Sequence, residues 1–303
     1  MHYLITGGAG FIGTNIAKQL LIDGHQVRVI DNYSGGKKED RFLDGVEYAE
    51  GDIRKDEDLK KAMTGIDGVF HTAAIPRMSY SVEHPLETNE NNVTGTLRVL
   101  LAAREAGVKR IVYSASSSAL GGIETDQAMT EDMKTKPMSP YGLQKYIGEE
   151  YCRLFSELYN LEAVSLRYFN VYGSYMDPEG AYALVIGKFL RQKSKGEPMT
   201  VCGDGEYYRD YTHVDDVARA NILAMTSEKV GKGEVINVGN GHPYSVNELV
   251  KLIGGESIFV DPRQGDPRRT EADNSKAKEL LGWEPTIALP DGIDMLKKEF
   301  GLE

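Results

Sequence analysis

With 303 residues, 41% of them hydrophobic and 27% charged, the chain is a globular protein long enough for one large α/β unit or for two lobes. A net charge of −11 excludes bulk nucleic-acid binding, which needs a basic stripe, but not a phosphate-bearing small ligand held by a few local arginines. No apolar run approaches the ~20 residues of a membrane span, the N-terminus carries no charged lead or cleavage site, and the two cysteines, Cys152 and Cys202, argue against a disulfide scaffold or a zinc site, so a reduced cytoplasmic protein is expected.

Residues 2–6 read as a short apolar strand that runs directly into Gly7-Gly-Ala-Gly10-Phe11-Ile12-Gly13. Past Gly10, Ile12, Ile16 and Leu20 fall on one helical face. A strand, a tight glycine turn and a helix start aim backbone N–H groups and the helix dipole at a pyrophosphate. The spacing is G-x-x-G-x-x-G, an approximation to the usual fingerprint. A second strand, 26–30, ends in Asp31-Asn32-Tyr-Ser34-Gly35. An acidic residue at that distance from the glycines accepts hydrogen bonds from an adenosine ribose and repels a 2′-phosphate, which favours NAD over NADP.

A third strand, 46–50, leads into Gly51-Asp52-Ile53, with the Asp52 carboxylate in reach of an adenine amino group. A fourth, 68–71, leads into Thr72-Ala73-Ala74, small residues that let a cofactor approach the backbone. A helix is expected over 85–106, and a fifth strand, 110–113, delivers the cluster Ser114-Ala-Ser116-Ser117-Ser118. Strands alternating with helices at these spacings specify a doubly wound parallel sheet whose ligands sit at the carboxyl ends of its strands.

Pro140 then opens a helix over 140–159, which places Tyr141 and Lys145 on one face at i and i+4. Half-ionising a tyrosine at neutral pH takes about 4 kcal/mol. A lysine cation ~6 Å away supplies on the order of 2.8 kcal/mol at an effective dielectric of ~20. A second positive charge, such as an oxidised nicotinamide ring, supplies most of the remainder. By itself, Y-x-x-x-K reads equally as an exposed tyrosine and lysine on a helix.

In the second half, strands are expected at 163–167 and 199–202, a helix at 180–191, and a helix and strand at 213–224 and 234–238 that return to the first sheet. Arg209, Arg263, Arg268 and Arg269 offer guanidinium forks suited to a diphosphate. His213 stands in an Asp-rich turn without the partners of a metal site, which favours a structural hydrogen-bonding role. Trp283 reads as core packing and 124–132 as a mobile acidic loop over the site.

TGGAGFIG, DNYSGG, GDI, HTAA, NNVTGT, the serine cluster, SPYGLQK, LRYFNVYG, RDYTHVDDVA and ADNSKAKELLGW follow one another along nearly the whole chain. In this order they resemble the extended short-chain dehydrogenase/reductase superfamily, and within it the NAD-dependent nucleotide-sugar 4-epimerases acting on UDP-glucose or UDP-N-acetylglucosamine. The resemblance implies a Rossmann-type sheet formed by 1–170 and about 212–238, with a smaller α/β substrate-binding lobe at about 171–211 and 239–303. It makes Tyr141 the acid/base, Lys145 the holder of the nicotinamide ribose, and Ser116 the hydrogen-bond partner of the sugar hydroxyl that loses its proton. It assigns Ser114, Asn92, Tyr168 and Phe169 to the cofactor pocket. To the substrate it assigns Ser81, Ser117 and Asn170, Arg209 and Arg263 on the diphosphate, Asp266 on the ribose, and Thr270 beside the sugar, where a small residue admits an N-acetyl group. It also implies a homodimer through the helices 85–106 and 140–159.

Two positions depart from the family pattern. Leu120 stands where a tyrosine often follows the serine cluster, and Pro76-Arg77 where a lysine often follows the fourth strand. Related dehydratases carry acidic residues in the serine cluster, because eliminating water needs an extra acid and base. The absence of a carboxylate from Ser116-Ser117-Ser118 favours oxidation and re-reduction of a UDP-hexose without elimination. The alternatives left open are a nucleotide-sugar reductase or dehydrogenase, a uronic-acid epimerase using Arg77 or Arg268, and a non-catalytic NAD-binding regulator.

Overall fold

The computed structural model describes residues 1–121, 127–178, 185–261 and 268–302. The first apolar run forms β1 (His2–Thr6), whose last four residues are buried, as a strand covered on both faces requires. There follow α1 (Phe11–Ile22), β2 (Gln26–Asp31) and β3 (Val46–Glu50). Asp56, Glu57 and Asp58 suit the positive end of the short helix α2 (Asp56–Ala62) before β4 (Gly68–His71). After α3 (Met78–Glu83), the helix expected over 85–106 is a rod with an inserted π turn at Glu90–Thr94, dividing α4 (Pro85–Asn89) from α5 (Gly95–Glu105).

Next come β5 (Arg110–Ser116), α6 (Pro140–Tyr159) and β6 (Glu162–Tyr168). The bounds of α6 follow from local chemistry. Ser139 Oγ caps the Gly142 N–H at 3.1 Å, Pro140 fits the first turn, and Asn160 ends the helix in the left-handed region at φ 54°. The chain continues through β7 (Val171–Tyr172), α7 (Val185–Ser194), β8 (Met199–Cys202), β9 (Tyr208–Asp210), β10 (Thr212–His213), α8 (Val214–Thr226) and β11 (Lys232–Val238). The last elements are β12 (Pro243–Ser245), α9 (Val246–Ile253), β13 (Ser257–Val260), α10 (Ser275–Leu281) and α11 (Leu289–Glu299). Of the helix expected over 180–191, residues 180–184 lie outside the described residues. No helix among the described residues is long and apolar enough to cross a membrane.

Seven strands form one sheet in the order β11-β6-β5-β4-β1-β2-β3, every neighbouring pair parallel. The chain winds outward from β1 to β3, then returns to β4 and winds the other way. A crevice opens at that reversal, at the carboxyl ends of β1 and β4. One face of the sheet packs on α1, α8 and α10 around Ile16, Leu20, Val217 and Trp283, whose indole N–H donates to the Asp216 carbonyl at 2.9 Å. The other packs on α2, α5 and α6 around Leu59, Val99, Leu100, Cys152 and Phe155. A separate apolar cluster gathers Tyr172, Phe189, Leu190, Val201, Leu249, Ile253, Leu289 and Ile293.

Two buried carboxylates tie these layers together. Asp210 accepts from the backbone N–H groups of Asn240, Gly241 and Ala272 at 2.6–2.9 Å and so fixes two loops. Glu149 of α6 accepts from both Nε and Nη2 of Arg167 of β6 at 2.8 Å, with both side chains almost fully buried. Removing one partner of such a pair leaves an uncompensated charge. Arg167→Met is therefore expected to cost about 3–5 kcal/mol in urea unfolding, and the double variant Glu149→Leu/Arg167→Met to recover most of it. Additive losses in the double variant would contradict the pairing.

Candidate active site

The crevice holds a cavity of about 530 Å³. Its inner end is the glycine turn. Gly7 has φ +68° and a Cβ there would stand 2.6 Å from Ala73 Cα, while a Cβ on Gly13 would stand 2.6 Å from Gly8 Cα. Any side chain at either position would push the turn away from β4 or from α1. Gly10 caps the twelve-residue α1, so the first N–H groups of the helix face the cavity lined by Gly7, Gly10, Phe11 and Ile12.

Asp31 stands at the carboxyl end of β2 on the cavity wall. Its Oδ2 accepts from the Ala9 N–H at 3.1 Å and its Oδ1 from the Tyr33 N–H at 2.8 Å. Burial pushes this carboxyl up, against the pull of the two backbone donors. Each oxygen keeps a lone pair for a ribose hydroxyl. Asn32, Ser34, Gly35 and Ile53 line the same end, and Thr72, Ala73 and Ala74 the floor. The Asp52 carboxylate is held by Arg54 at 2.6 Å and by Asn32 Nδ2 at 3.3 Å, with its pKa drawn down to about 2, chiefly by the Arg54 hydrogen bond. It does not line the cavity; Gly51 and Ile53 on either side of it do.

At the other end α6 lies against β5 and the serine cluster. A Cβ on Gly142 would fall 2.4 Å from the Ser118 carbonyl, and one on Gly148 2.3 Å from the Tyr113 hydroxyl, so glycine at both sites sets this close approach. It sets the Tyr141 hydroxyl near Ser116, which favours its ionised form. Ser116 Oγ also accepts from the Ser118 N–H at 3.2 Å. Lys145 Nζ donates to the Ser114 carbonyl at 2.6 Å and lies 6.0 Å from the Tyr141 ring centroid and 4.9 Å from that of Tyr113. Burial pushes Tyr141 up to about 12, partly opposed by Ser116, and pushes Lys145 down to about 8, partly opposed by Glu149. Tyr168 completes this end, its hydroxyl 3.0 Å from Ser114 Oγ and 2.9 Å from Asn221 Oδ1. Ser117 and Asn170 also line the cavity.

Several residues predicted for the site lie behind its wall. Asn92 Nδ2 donates to Gln144 Oε1 at 2.8 Å and its Oδ1 accepts from the Ile75 N–H at 2.8 Å, which anchors the loop after β4. Phe169 is fully buried with Leu120, Met129 and Ala272, so the departure at Leu120 lies in an apolar cluster and not on the cavity. Ser81 is buried and accepts from the Tyr141 N–H at 3.0 Å, fixing the first turn of α6. Arg209 and Thr270 lie beyond Asn170, which donates to Thr270 Oγ1 at 3.5 Å and to the Asp210 carbonyl at 3.2 Å. Arg209 donates to the Tyr208 carbonyl at 2.9 Å, and Arg268 pairs with Asp204 at 2.9 Å and lies over the Tyr207 ring. Arg263 and Asp266 lie outside the described residues. His213 caps α8, its Nδ1 accepting from the Asp215 N–H at 3.2 Å.

Of the loop expected over 124–132, residues 124–126 lie outside the described residues. The rest is tied down: Met129 N–H donates to the Glu271 carbonyl, and Glu131 Oε1 accepts from the Asn237 N–H, both at 2.7 Å. Sequence reasoning does not single out Arg41, Met78, Asn91, Met176 or Asp177, which also line the cavity. Arg41 and Asp177 sit in polar stretches without periodicity, and Met78 and Met176 read as ordinary apolar residues.

A glycine turn at a helix N-terminus, a carboxylate at the carboxyl end of β2 and a buried Tyr-Lys pair in one cavity fit a nicotinamide dinucleotide. The chain matches the NAD dependent epimerase/dehydratase family over residues 3–239. It is 39% identical over 297 residues to a putative UDP-glucose 4-epimerase of Methanocaldococcus jannaschii, covering 96% of this chain and 95% of that one. It is similar to the crystal structure of a UDP-glucose 4-epimerase of Thermotoga maritima with UDP-glucose, at TM-score 0.94 and 38% identity over 99% of both chains. A UDP-glucose 4-epimerase of Thermus thermophilus in complex with NAD superposes at TM-score 0.91 and 33% identity, again over 99% of both chains.

The depressed pKa of Lys145 has a measurable sign. Between pH 8, about where it loses its proton in the fold, and its ordinary 10.5, the unfolded chain binds one proton more than the folded one, so stability rises with pH. The raised Tyr141 acts oppositely, its contribution being lost from its ordinary 10.0 up to about 12, and it is common to wild type and a Lys145 variant. In the nucleotide-free chain, wild type is expected to gain about 3 kcal/mol on Lys145→Met across that window in denaturant titrations. A pH-independent difference would contradict the burial of the ammonium.

Proposed function

The chain belongs to the NAD-dependent epimerase/dehydratase family and is an NAD-dependent nucleotide-sugar 4-epimerase of the extended short-chain dehydrogenase/reductase superfamily; from that premise we propose that it interconverts UDP-glucose and UDP-galactose, and their N-acetylated forms, through a transient 4-keto sugar. The observation that carries this reading is the convergence of Ser116, Tyr141 and Lys145 at one end of the cavity whose other end is the glycine turn and Asp31.

NAD, when bound, supplies a hydride acceptor that returns the same hydride, together with a positive ring. The chain supplies placement and proton transfer. Tyr141 takes the proton of the sugar 4-hydroxyl and later gives it back, with Ser116 sharing the hydrogen bond. Lys145, held on the Ser114 carbonyl, opposes with its charge the effect of burial on the phenol. Residues 1–170 and about 212–238 hold the cofactor, while about 171–211 and 239–303 hold the nucleotide sugar. Within that second part Arg209 and Arg263 grip the diphosphate and Asp266 the ribose; Asn170, at the end of the first part, joins the gripping region to the cavity, so the sugar alone turns over. Thr270, beside Asn170, leaves room for an N-acetyl group. Ser116, Ser117 and Ser118 bring no carboxylate for eliminating water, which favours epimerisation over dehydration. Asp31 disfavours NADPH, the usual cofactor of the reductase alternative.

Incubation with a panel of UDP-, dTDP- and GDP-sugars, followed by proton NMR, is expected to show inversion at carbon 4 of UDP-hexoses with no net change in nicotinamide absorbance. Tyr141→Phe is expected to lower kcat by roughly 10²–10⁴-fold with NAD content unchanged; unaltered turnover would overturn the assignment of the base. Leu86 of α4 is 83% exposed and Leu158 of α6 66% exposed, which supports a homodimer formed across these helices. Sedimentation is expected to give a dimer that Leu86→Asp with Leu158→Asp weakens; an unchanged monomer in wild type would contradict it.

A further inference from the structure

We infer that Arg41 is a cofactor-binding residue whose guanidinium meets the diphosphate of the bound dinucleotide at the outer lip of the glycine turn. The inference rests on the NAD-binding reading above and extends it to a residue that none of the motifs contains.

Arg41 ends the polar run Lys37-Lys38-Glu39-Asp40, yet it is only 7% exposed and lines the same cavity as Gly10, Phe11 and Asp31. Its Nη1 donates to the Ala9 carbonyl at 3.4 Å and its Nη2 to the Tyr175 carbonyl at 2.5 Å. Its Nε is buried with no partner among the described residues. An arginine does not shed its proton, so a full positive charge is held in the wall against neutral carbonyls. Burial opposes this charge, and Asp177, Asp40 and Asp31 favour it only from a distance, none of them pairing with the guanidinium among the described residues. Both Asp31 oxygens accept backbone N–H groups, Asp177 pairs with Lys38 at 2.8 Å, and Asp40 is exposed. A buried cation without an ion pair is costly, and an orphan donor beside it adds to that cost. An anionic ligand in the cavity offsets the cost of the charge.

The position of that anion follows from Ala9. Ala9 belongs to the turn that starts α1, where the helix N-terminus already favours a diphosphate. A guanidinium fork matches paired phosphate oxygens better than a point charge does. The contact with Tyr175, together with Asn15 Nδ2 donating to the Ser174 carbonyl at 3.0 Å and the Lys38–Asp177 pair, fastens residues 174–177 over the same end of the cavity. Arg41 thus joins the cofactor to the segment that covers it.

The test is titration calorimetry of the full chain, freed of any nucleotide it carries, with NAD, NADP, ADP and adenosine. Arg41→Gln is expected to bind NAD and ADP about tenfold or more weakly, the loss of one charge-assisted contact, and adenosine within about twofold of wild type. Equal losses for ADP and adenosine, no loss for either, or a loss confined to NADP overturns the inference; the last would set the guanidinium against a 2′-phosphate. Wild type that binds neither NAD nor ADP overturns the NAD reading as well, a result distinct from a variant that keeps its preference for ADP. A second measurement needs no folded Arg41→Gln. The Arg41 Nε–H resonance of ¹⁵N-arginine-labelled wild type, assigned by its absence from Arg41→Lys, is expected to shift with ADP and not with adenosine, and a resonance that moves with neither overturns the inference.

Discussion

The geometry of the site depends on two groups buried side by side in α6 that both prefer to be neutral. Burial drives the Tyr141 phenol up to about 12 and the Lys145 ammonium down to about 8, whereas proton transfer needs the phenol ionised and the ammonium intact. The surroundings counter burial at each group: Ser116 favours the ionised phenol, and the Ser114 carbonyl and Glu149 favour the charged lysine. What remains is an electrostatic deficit that a positive charge in the cavity offsets. In the proposed reaction the pair therefore works as a base only beside a second positive charge.

Holding the pair is a matter of packing. α6 carries Tyr141, Lys145 and Glu149 at successive i+4 positions, and it reaches β5 because Gly142 and Gly148 present no side chain to Ser118 and Tyr113. Ser81 fixes the first turn of the helix, and the Glu149–Arg167 pair fixes its middle to β6. On the opposite side Asp210 gathers the loops around Gly239 and Ala272, and Asn170 links them to the cavity.

Much of this was legible in the chain because burial leaves a periodic trace. The strands β1, β2, β4 and β5 are apolar runs ended by glycine or small polar residues, and α6 announces itself by Ser139, Pro140 and Asn160. α2, α3, β9 and β12 were not, since three to seven residues are too short to show a period. Within the site, residues at strand ends fell on the cavity, but sequence order does not tell which side of a wall a side chain takes. Asp52 turns to Arg54 while its neighbours Gly51 and Ile53 face inward, and Asn92 turns to Gln144 while Asn91 faces inward. The stretch 127–132 reads as a free acidic loop because its anchors, Asn237 and Glu271, lie more than a hundred residues away. Arg41 was hidden for the opposite reason: a polar run looks solvated, and only the fold turns one of its charges inward.

The most direct measurement is the pKa of Tyr141 itself, read by NMR from ¹³Cζ-labelled tyrosine in the NAD-loaded and nucleotide-free chain, with Tyr141→Phe to assign the resonance. In the nucleotide-free chain the phenol should stay protonated beyond its ordinary value of ~10, and in the loaded chain it should titrate several units lower, toward neutrality. A phenol that stays above 10 in both states would contradict its role as the base.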